Sequence, residues 1–228
     1  AEAHRRVVEA CAGALLYGTT GILGRQVADA FRCTTKVKAA HPRLPAFDGG
    51  WFASVMPELQ LASGLYDAVC LGQGEITFRE LVRAVDAGAS LEEVAGLALL
   101  RDGQLVRTAQ RAIVGWDQLL DCPWHLLDIA PYRDAQRAGR PTNEVERMPV
   151  PPGHADKPFF GISYFASFGC PEPCGFCCAP EVSGMRWKCM PAERMLDDLC
   201  GLHERWGFDT LRFYDANWGV MEKRSAAF

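Results

Sequence analysis

The stretch FFGISYFASFGCPEPCGFCCAP, residues 159–180, joins an apolar run to a loop that is rich in cysteine. We predict that residues 159–169 form one buried strand, which ends where the cysteines begin. The loop holds four of them, Cys170, Cys174, Cys177 and Cys178, and the first three have the spacing CxxxCxxC. Disulfides between cysteines so close in sequence would be strained, so metal binding is the better explanation for the cluster.

The number of ligands separates the kinds of metal site. Thiolates are soft ligands that suit iron–sulfur clusters and zinc. A structural zinc ion takes four ligands, usually as two separated pairs. Here three cysteines lie within the eight residues 170–177, and no second pair follows at a zinc-like spacing. Three thiolates on a four-iron cluster leave one iron open to a molecule that reacts, so the spacing favours such a cluster.

The remaining cysteines are scattered among apolar neighbours. Free cysteine behaves as a small buried hydrophobic residue, and a reducing cytoplasm is the compartment that fits so many thiols. We therefore expect a cytoplasmic protein with six structural cysteines, namely Cys11, Cys33, Cys70, Cys122, Cys189 and Cys200.

Composition excludes several classes of function. The chain has 228 residues, of which 49% are hydrophobic and 23% charged, with a formal net charge of −4. Its basic residues form no stripe, so they do not indicate a nucleic-acid partner. No apolar run approaches the roughly 20 residues that a membrane-spanning helix needs, and no signal peptide is visible.

The first half of the chain alternates between strand and helix patterns. Strands are predicted at 13–18, at 45–50 and from 66 to a glycine-rich exit at 75, and a helix is predicted over 24–41. Another helix follows the third strand, with apolar residues at helical spacing. This alternation is typical of a parallel sheet with crossover helices.

Later segments add three further predictions. LALLRDGQLVRT, residues 97–108, carries the Asp-Gly pair that is typical of a β-hairpin. Residues 110–157 are irregular and rich in proline, so we predict a linker. A helix over 191–206 and a strand over 208–219 follow the cysteine loop.

The spacing CxxxCxxC after a strand, with Phe176 before the third cysteine, resembles that of the radical S-adenosylmethionine (radical SAM) superfamily. MRWKCMPAERMLDDLCGLHERWGFDTLRFYDANW, residues 185–218, is also similar to the first helix and second strand of that family. The chain departs from many relatives in having Phe168 where they carry an arginine, which leaves any role of that arginine in doubt.

The resemblance implies a set of cofactors and contacts. A [4Fe–4S] cluster would be bound by Cys170, Cys174 and Cys177, with Cys178 outside the ligand set. SAM would bind the open iron and contact Phe176, Asp215 and Asn217, and an electron from a donor such as flavodoxin or ferredoxin would cleave it to a 5′-deoxyadenosyl radical. The alternative for the Asp and the Asn is a strand-end turn, in which both residue types are common.

Three glycine-rich motifs precede the cysteines in a fixed order: TTG at 19–21, GGW…PE at 49–58 and GQGE at 72–75. They resemble those of the B12-binding radical SAM proteins, in which a Rossmann-like domain holds cobalamin. The implied cobalamin contacts are Thr19, Thr20, Gly49, Gly50, Gly72, Gly74 and Glu75. The alternative is that these motifs are ordinary turns, although the carboxyl edge of a parallel sheet is where ligands bind.

The expected fold is α/β, with a Rossmann-like parallel sheet of the cobalamin-binding type followed by the start of a radical SAM (βα) partial TIM barrel. The domains would be 1–109 for cobalamin, 110–157 as linker and 158–228 for the barrel. By the same resemblance we expect a fragment that lacks a first strand and most of the barrel, so that residues 158–228 alone would be poorly ordered and would not cleave SAM.

The function implied is cobalamin-dependent methylation of an unactivated carbon in a small molecule, or cyclisation or rearrangement. One alternative is a methylthiotransferase acting on tRNA or a ribosomal protein, whose second cluster would need Cys11, Cys33 and Cys70. Another is a metal-stapled binding module without catalytic activity.

Overall fold

The computed structural model describes residues 2–138, 150–154 and 157–228. Helices and strands follow one another along this length, and the α/β class is confirmed. The chain divides into two units. The first comprises Ala1–Ile113 and Glu172–Arg186, and the second comprises Val114–Pro171 and Trp187–Phe228.

The helices are α1 (Glu2–Ala10), α2 (Arg25–Ala40), α3 (Trp51–Val55), α4 (Pro57–Ala62), α5 (Gly74–Ala87), α6 (Ala130–Arg137), α7 (Ala179–Ser183), α8 (Ala192–Trp206) and α9 (Glu222–Ala227). The strands are β1 (Tyr17–Thr20), β2 (Ala46–Gly49), β3 (Ala68–Cys70), β4 (Leu97–Arg101), β5 (Gln104–Arg107), β6 (Gly161–Tyr164), β7 (Ser167–Gly169), β8 (Trp187–Cys189) and β9 (Thr210–Phe213). Short 3₁₀ helices occur at Leu91–Glu93, Trp116–Gln118, Trp124–Leu126 and Trp218–Val220. None of the helices in the described part of the chain combines the length and the apolar character that a membrane crossing requires.

The first unit is built on a five-stranded sheet in the order β1-β2-β3-β4-β5. The first three strands run parallel, and β4 and β5 add an antiparallel hairpin at one side. The hairpin turns at Asp102 and Gly103, which both have positive φ, at 50° and 77°. A two-residue turn of this kind matches the twist of the strands it joins, and the Asp-Gly prediction is confirmed.

Both faces of this sheet are covered. Neighbouring residues of β2 point to opposite faces, and Ala46 packs with Val37 of α2 while Phe47 packs with Leu81 of α5. A largely parallel sheet needs such cover on each side. The helix predicted over 24–41 is present as α2, and its side chains cover one face of the sheet.

The second unit contains two small sheets. β6 and β9 pair in parallel, connected through α8, and β7 pairs antiparallel with β8. The predicted helix over 191–206 is confirmed as α8, whose buried stripe includes Met195, Leu202 and Trp206. These residues join Phe160, directly before β6, and side chains of β6 in one apolar cluster.

The prediction of one strand over 159–169 is wrong in its continuity. β6 ends at Tyr164, and β7 begins at Ser167 and pairs with a different strand, β8. The corner between them lies at Phe165 and Ala166, and Ala166 is fully buried. β8 itself was not predicted, because three residues give too short a pattern.

The predicted linker over 110–157 has more structure than its proline content indicates. Residues 139–149 and 155–156 of it lie outside the described part. Earlier in the segment, Trp116 and Trp124 pack on the apolar cluster of the second unit. The ring of Trp124 meets that of Trp206 edge to face, with centroids 5.3 Å apart. Large aromatic side chains gain stability by burial, and here they fasten the segment to the unit.

Candidate functional site

The carboxyl ends of the parallel strands in the first unit bring several predicted cofactor contacts together. Thr19 lies opposite Asp48, and Thr20 lies opposite Gly49, in the register of β1 with β2. Gly50 follows directly on β2, and Gly72 follows β3. This edge of a parallel sheet is the usual place for a bound ligand, so the arrangement suits the predicted role.

Ser54, which was not predicted, ties two of these strand ends together. Its hydroxyl donates a 2.7 Å hydrogen bond to the carbonyl oxygen of Gly50 and accepts a 2.9 Å hydrogen bond from the N–H of Gly72. The exits of β2 and β3 are therefore held at a fixed separation. A serine on a short helix after a double glycine gives no distinctive signal in the sequence.

Among the glycines predicted to contact cobalamin, Gly50 and Gly74 differ most in how much space surrounds them. Gly50 has φ of +88°, and a Cβ there would lie 2.7 Å from both the carbonyl oxygen of Gly21 and the hydroxyl of Thr20. Glycine is therefore required at 50 by the chain itself. A Cβ at Gly74 would have no atom within 4 Å, so the backbone at the start of α5 borders open space that a ligand can enter.

Gly72 lies against the segment that follows the cysteines. Its φ is +68°, and an added Cβ would lie 3.2 Å from the carbonyl oxygen of Val182 in α7. α7 also contacts α3. The first unit thus places α7 beside the glycine-rich exit of β3. Glu75 is exposed in the first turn of α5, where its charge is favourable to the helix dipole.

A buried polar network lies behind Thr19, and sequence reasoning missed it. The Thr19 hydroxyl donates a 2.6 Å hydrogen bond to Oδ1 of Asp48, and the amide of Gln60 donates to Oδ2. Asp48 is 5% exposed. Burial raises the pKa of its carboxyl, although hydrogen bonds from Thr19, Gly49 and Gln60 favour the charged form. The only available signal was an aspartate inside an apolar strand.

The cysteine loop contains a tight turn. The N–H of Cys174 donates a 2.9 Å hydrogen bond to the carbonyl of Glu172, and the N–H of Cys177 donates one of 3.1 Å to the carbonyl of Cys174. Both thiols are exposed, whereas Cys170 at the end of β7 is buried. Cys178 is the residue directly before α7.

The donor set fits an iron–sulfur cluster in its chemistry. Three thiols are offered by a loop after a strand, and thiolates are the ligands that such clusters take. In the described ranges, no three side chains of His, Cys, Asp or Glu come together closely enough to hold a single metal ion.

The predicted SAM contacts have different surroundings. Phe176 is 94% exposed and its ring is available to a ligand. Asn217 accepts a 3.0 Å hydrogen bond from the N–H of Gly219, so the turn interpretation describes its present role. Asp215 accepts from the N–H of Ala166 and from the hydroxyl of Ser167. Its carboxylate is thus engaged with the chain itself.

The cysteines that a second cluster would need all lie in the first unit. Cys11, Cys33 and Cys70 are all buried. Burial, with a smaller effect of Asp48, raises the pKa of Cys70 to about 12, and burial followed by the nearby Cys33 raises the pKa of Cys11. Of the other three predicted structural cysteines, Cys189 is partly buried, but Cys122 and Cys200 are exposed, which corrects that prediction.

Curated proteins with similar sequences extend well beyond the matched region. No protein-family model matches the chain. An uncharacterized methyltransferase of Pyrococcus horikoshii is 27% identical over 198 residues, 86% of this chain and 39% of that protein. The hopanoid C-3 methylase of Methylococcus capsulatus is 28% identical over 190 residues, 80% of this chain and 32% of that protein. The anaerobic magnesium-protoporphyrin IX monomethyl ester cyclase of Synechocystis is 22% identical, over 95% of this chain and 39% of its own length. The chain thus spans less than two fifths of the length of each of these relatives.

Solved structures give the same picture for the fold. The radical S-adenosylmethionine methyltransferase TsrM from Kitasatospora setae, with tryptophan substrate and a SAM analog bound, matches 98% of this chain and 41% of its own, with a TM-score of 0.69 at 16% identity. A further TsrM structure holds cobalamin and a [4Fe–4S] cluster. The cobalamin-dependent radical enzyme OxsB, with aqua-cobalamin and SAM bound, matches 97% of this chain and 28% of its own, with a TM-score of 0.69 at 16% identity. Over nearly its whole length, the chain therefore has the fold of the matched part of radical SAM enzymes that bind cobalamin.

Proposed function

We propose that this chain carries the cobalamin-binding and cluster-binding parts of a radical SAM enzyme that methylates an unactivated carbon of a small molecule. In this proposal, residues 1–109 form a Rossmann-like cobalamin domain, 110–157 connect it to the next domain, and 158–228 begin a (βα) barrel. The electron donor would be a flavodoxin or a ferredoxin. Cyclisation or rearrangement is the other outcome open to the same cofactors.

The proposal rests on one observation: this chain contains both a ligand-binding type of sheet edge and, later in the sequence, a cysteine loop. A parallel sheet edge with Thr20 opposite Gly49 comes first, and a CxxxCxxC loop at the end of a strand comes second. The match to TsrM and OxsB extends over both features together, because it covers 97–98% of the chain. Chance similarity of one short motif would not extend so far.

The residues of this chain have distinct tasks under the proposal. Cys170, Cys174 and Cys177 would hold the cluster, and the exposed ring of Phe176 would contact SAM. When bound, the cluster supplies the electron that cleaves SAM reductively, and cobalamin supplies the methyl group. The protein contributes binding, orientation and the exclusion of water.

The proposed cobalamin contacts at the sheet edge are mainly backbone groups and hydroxyls rather than charged side chains. Gly74 borders open space at the start of α5, so the main chain can approach a large ring closely. Thr19 and Thr20 supply hydroxyl groups beside Gly49. Glu75 and Gly72 complete the proposed contact set at the exit of β3.

The test is anaerobic purification followed by reconstitution with iron and sulfide. We expect about four irons per chain, as a single [4Fe–4S] cluster requires, and one equivalent of hydroxocobalamin retained through gel filtration. Dithionite and SAM should then give 5′-deoxyadenosine in the protein that contains this chain. A protein that binds iron but retains no cobalamin would contradict the cobalamin assignment, and failure to hold iron would contradict the proposal as a whole.

A further inference from the structure

We propose that Arg224 and Asp215 are positioning residues that together fix the base of the hairpin carrying the cysteine loop, and so set the position of Cys170. This hairpin is formed by β7 and β8, and the connection between its strands is the segment 170–186 that contains the cysteines. The role assigned to Cys170 rests on the proposed function. The contacts of the two residues lie entirely within the second unit.

Arg224 binds both strands at the open end of this hairpin. Its Nη2 donates a 3.1 Å hydrogen bond to the carbonyl oxygen of Ala166, directly before β7. Its Nε donates a 3.0 Å hydrogen bond to the carbonyl oxygen of Met190, directly after β8. One rigid guanidinium group therefore joins the two ends of the hairpin, which a single-point ammonium group would do less well.

Asp215 holds the same corner from its other side. Its two carboxylate oxygens lie 3.2 and 3.3 Å from the N–H of Ala166, and the hydroxyl of Ser167 donates to it as well. The Ala166 residue is thus bound at its N–H by an anion and at its C=O by a cation. The N–H of Met190 and the indole N–H of Trp116 also donate to that carbonyl, at 2.8 and 3.2 Å.

The charge of Arg224 argues that its role is positional. The residue is 5% exposed, and among the described residues its Nη1 has no hydrogen-bond partner and no carboxylate forms an ion pair with it. The guanidinium lies over the ring of Trp218 at 4.4 Å, which offsets part of the desolvation cost. A buried charge without a counter-charge contributes little to stability compared with an apolar side chain of similar size. What an apolar side chain could not supply is the pair of hydrogen bonds to Ala166 and Met190, which add to the direct one between these two residues.

The distance to Cys170 explains why the corner matters. Cys170 comes four residues after Ala166, about 13 Å of extended chain at 3.3 Å per residue. A change of about 10° in the direction of β7 would therefore move the thiol by about 2 Å. Sites that bind a cofactor need their ligands placed to within about 0.5 Å.

The test uses variants with a matched control. Arg224→Met removes the hydrogen bonds of the guanidinium group and leaves an unbranched apolar side chain, Arg224→Lys keeps the charge, and Asp215→Asn keeps the shape. Lys223→Met is the control, because Lys223 is exposed on the same helix, α9. Each is first studied without metal, by measuring the rate at which N-ethylmaleimide modifies Cys170, with exposed Cys200 as the internal reference.

We expect Cys170 to react at least about tenfold faster in Arg224→Met and Asp215→Asn than in the wild type, since a charged hydrogen bond that held the corner closed has been weakened or lost. Arg224→Lys should be intermediate, and Lys223→Met should match the wild type. Equal rates for Cys170 in all the proteins would overturn the proposal, whether or not the protein binds a cluster. If Arg224→Met does not fold, Arg224→Lys and Asp215→Asn decide.

The second measurement tests whether the contacts of Arg224 and Asp215 affect cluster binding. After reconstitution, Arg224→Met should retain less iron than Lys223→Met and should give an altered EPR spectrum of the reduced cluster. Faster modification of Cys170 with unchanged iron content and an unchanged spectrum would overturn the link. If no protein in the series holds iron but Cys170 still becomes more reactive in the variants, the positioning role of Arg224 and Asp215 is supported and the cluster assignment fails.

Discussion

The hydroxyl of Thr19 donates a 2.6 Å hydrogen bond to Oδ1 of Asp48, which lies directly opposite it on the neighbouring strand. A threonine hydroxyl has one hydrogen to donate and two acceptor lone pairs. While Asp48 is ionised, that hydrogen is committed, and Thr19 can offer a ligand only an acceptor. The buried carboxylate therefore determines how this predicted cofactor contact can bind.

The protonation of Asp48 should be visible in the pH dependence of stability. Its pKa is raised by burial, so the folded protein binds the proton more tightly than the unfolded chain does. Folding is therefore favoured as the pH falls from neutral through the folded pKa, and the gain is complete below the ordinary Asp pKa of about 3.9. Relative to Asp48→Asn, the wild type should gain stability on acidification and lose it as the pH rises.

Urea unfolding of the two proteins from pH 4 to pH 8 measures this difference. Asp102→Asn is the matched control, because Asp102 is exposed in the hairpin turn and asparagine tolerates its positive φ. The free energy of unfolding of Asp102→Asn should depend on pH in the same way as that of the wild type. A wild type that loses stability relative to Asp48→Asn on acidification would contradict the prediction.

Gly50 and Gly74 should respond to alanine in opposite ways. Gly50→Ala forces a side chain into a positive φ and against the backbone of Gly21, and should cost roughly 1–3 kcal/mol or more. Gly74→Ala places a methyl group in open space at a helix start, so stability should be unchanged or higher by up to about 1 kcal/mol. Under the proposed function, Gly74→Ala should nevertheless weaken cobalamin binding.

Chemical denaturation and titration with hydroxocobalamin separate the two effects. Weaker cobalamin binding in a fully stable Gly74→Ala protein would place the cofactor next to α5. Undiminished binding would remove Gly74 from the contact set. A Gly50→Ala protein as stable as the wild type would contradict the clash with Gly21.

The parts of the fold that sequence could predict are those with local causes. The hairpin follows from Asp102-Gly103 because both residues accept positive φ, and α8 follows from a buried stripe at helical spacing. The corner at Ala166 has no such local signal, since the apolar residues Tyr164 and Phe165 lead directly into it. It is held by Asp215 and Arg224, which lie 49 and 58 residues away in sequence.

The candidate site divides in the same way. The cysteine spacing and the glycine-rich strand exits are local patterns, and they identify the loop and the sheet edge. The functions of individual polar residues depend on partners from other elements. The hydrogen bonds that Asp215 accepts from Ala166 and Ser167 were not predicted, and neither were the contacts of Asp48 and Ser54.

Single alanine substitutions in the cysteine loop should show which thiols hold the cluster. Under the proposed function, Cys170→Ala, Cys174→Ala and Cys177→Ala should each abolish the brown absorbance after anaerobic reconstitution, and iron should fall to near zero. Cys178→Ala should keep both, and it serves as the control because Cys178 adjoins the motif. Loss of iron in Cys178→Ala with retention in Cys177→Ala would show that the third ligand is misassigned.

The buried cysteines of the first unit should not react with alkylating reagents and should not be needed for iron binding. With a pKa of about 12, the Cys70 thiol is ionised at pH 8 to only about one part in 10⁴, and the thiolate is the nucleophile. Iodoacetamide at pH 8 should therefore modify exposed Cys174 and Cys200 while Cys11 and Cys70 stay unmodified, as peptide mass spectrometry would show. A combined Cys11→Ala, Cys33→Ala and Cys70→Ala protein should still bind about four irons, the content of one [4Fe–4S] cluster. A wild type with about eight irons, reduced to four in the combined variant, would instead establish a second cluster and favour methylthiotransferase chemistry.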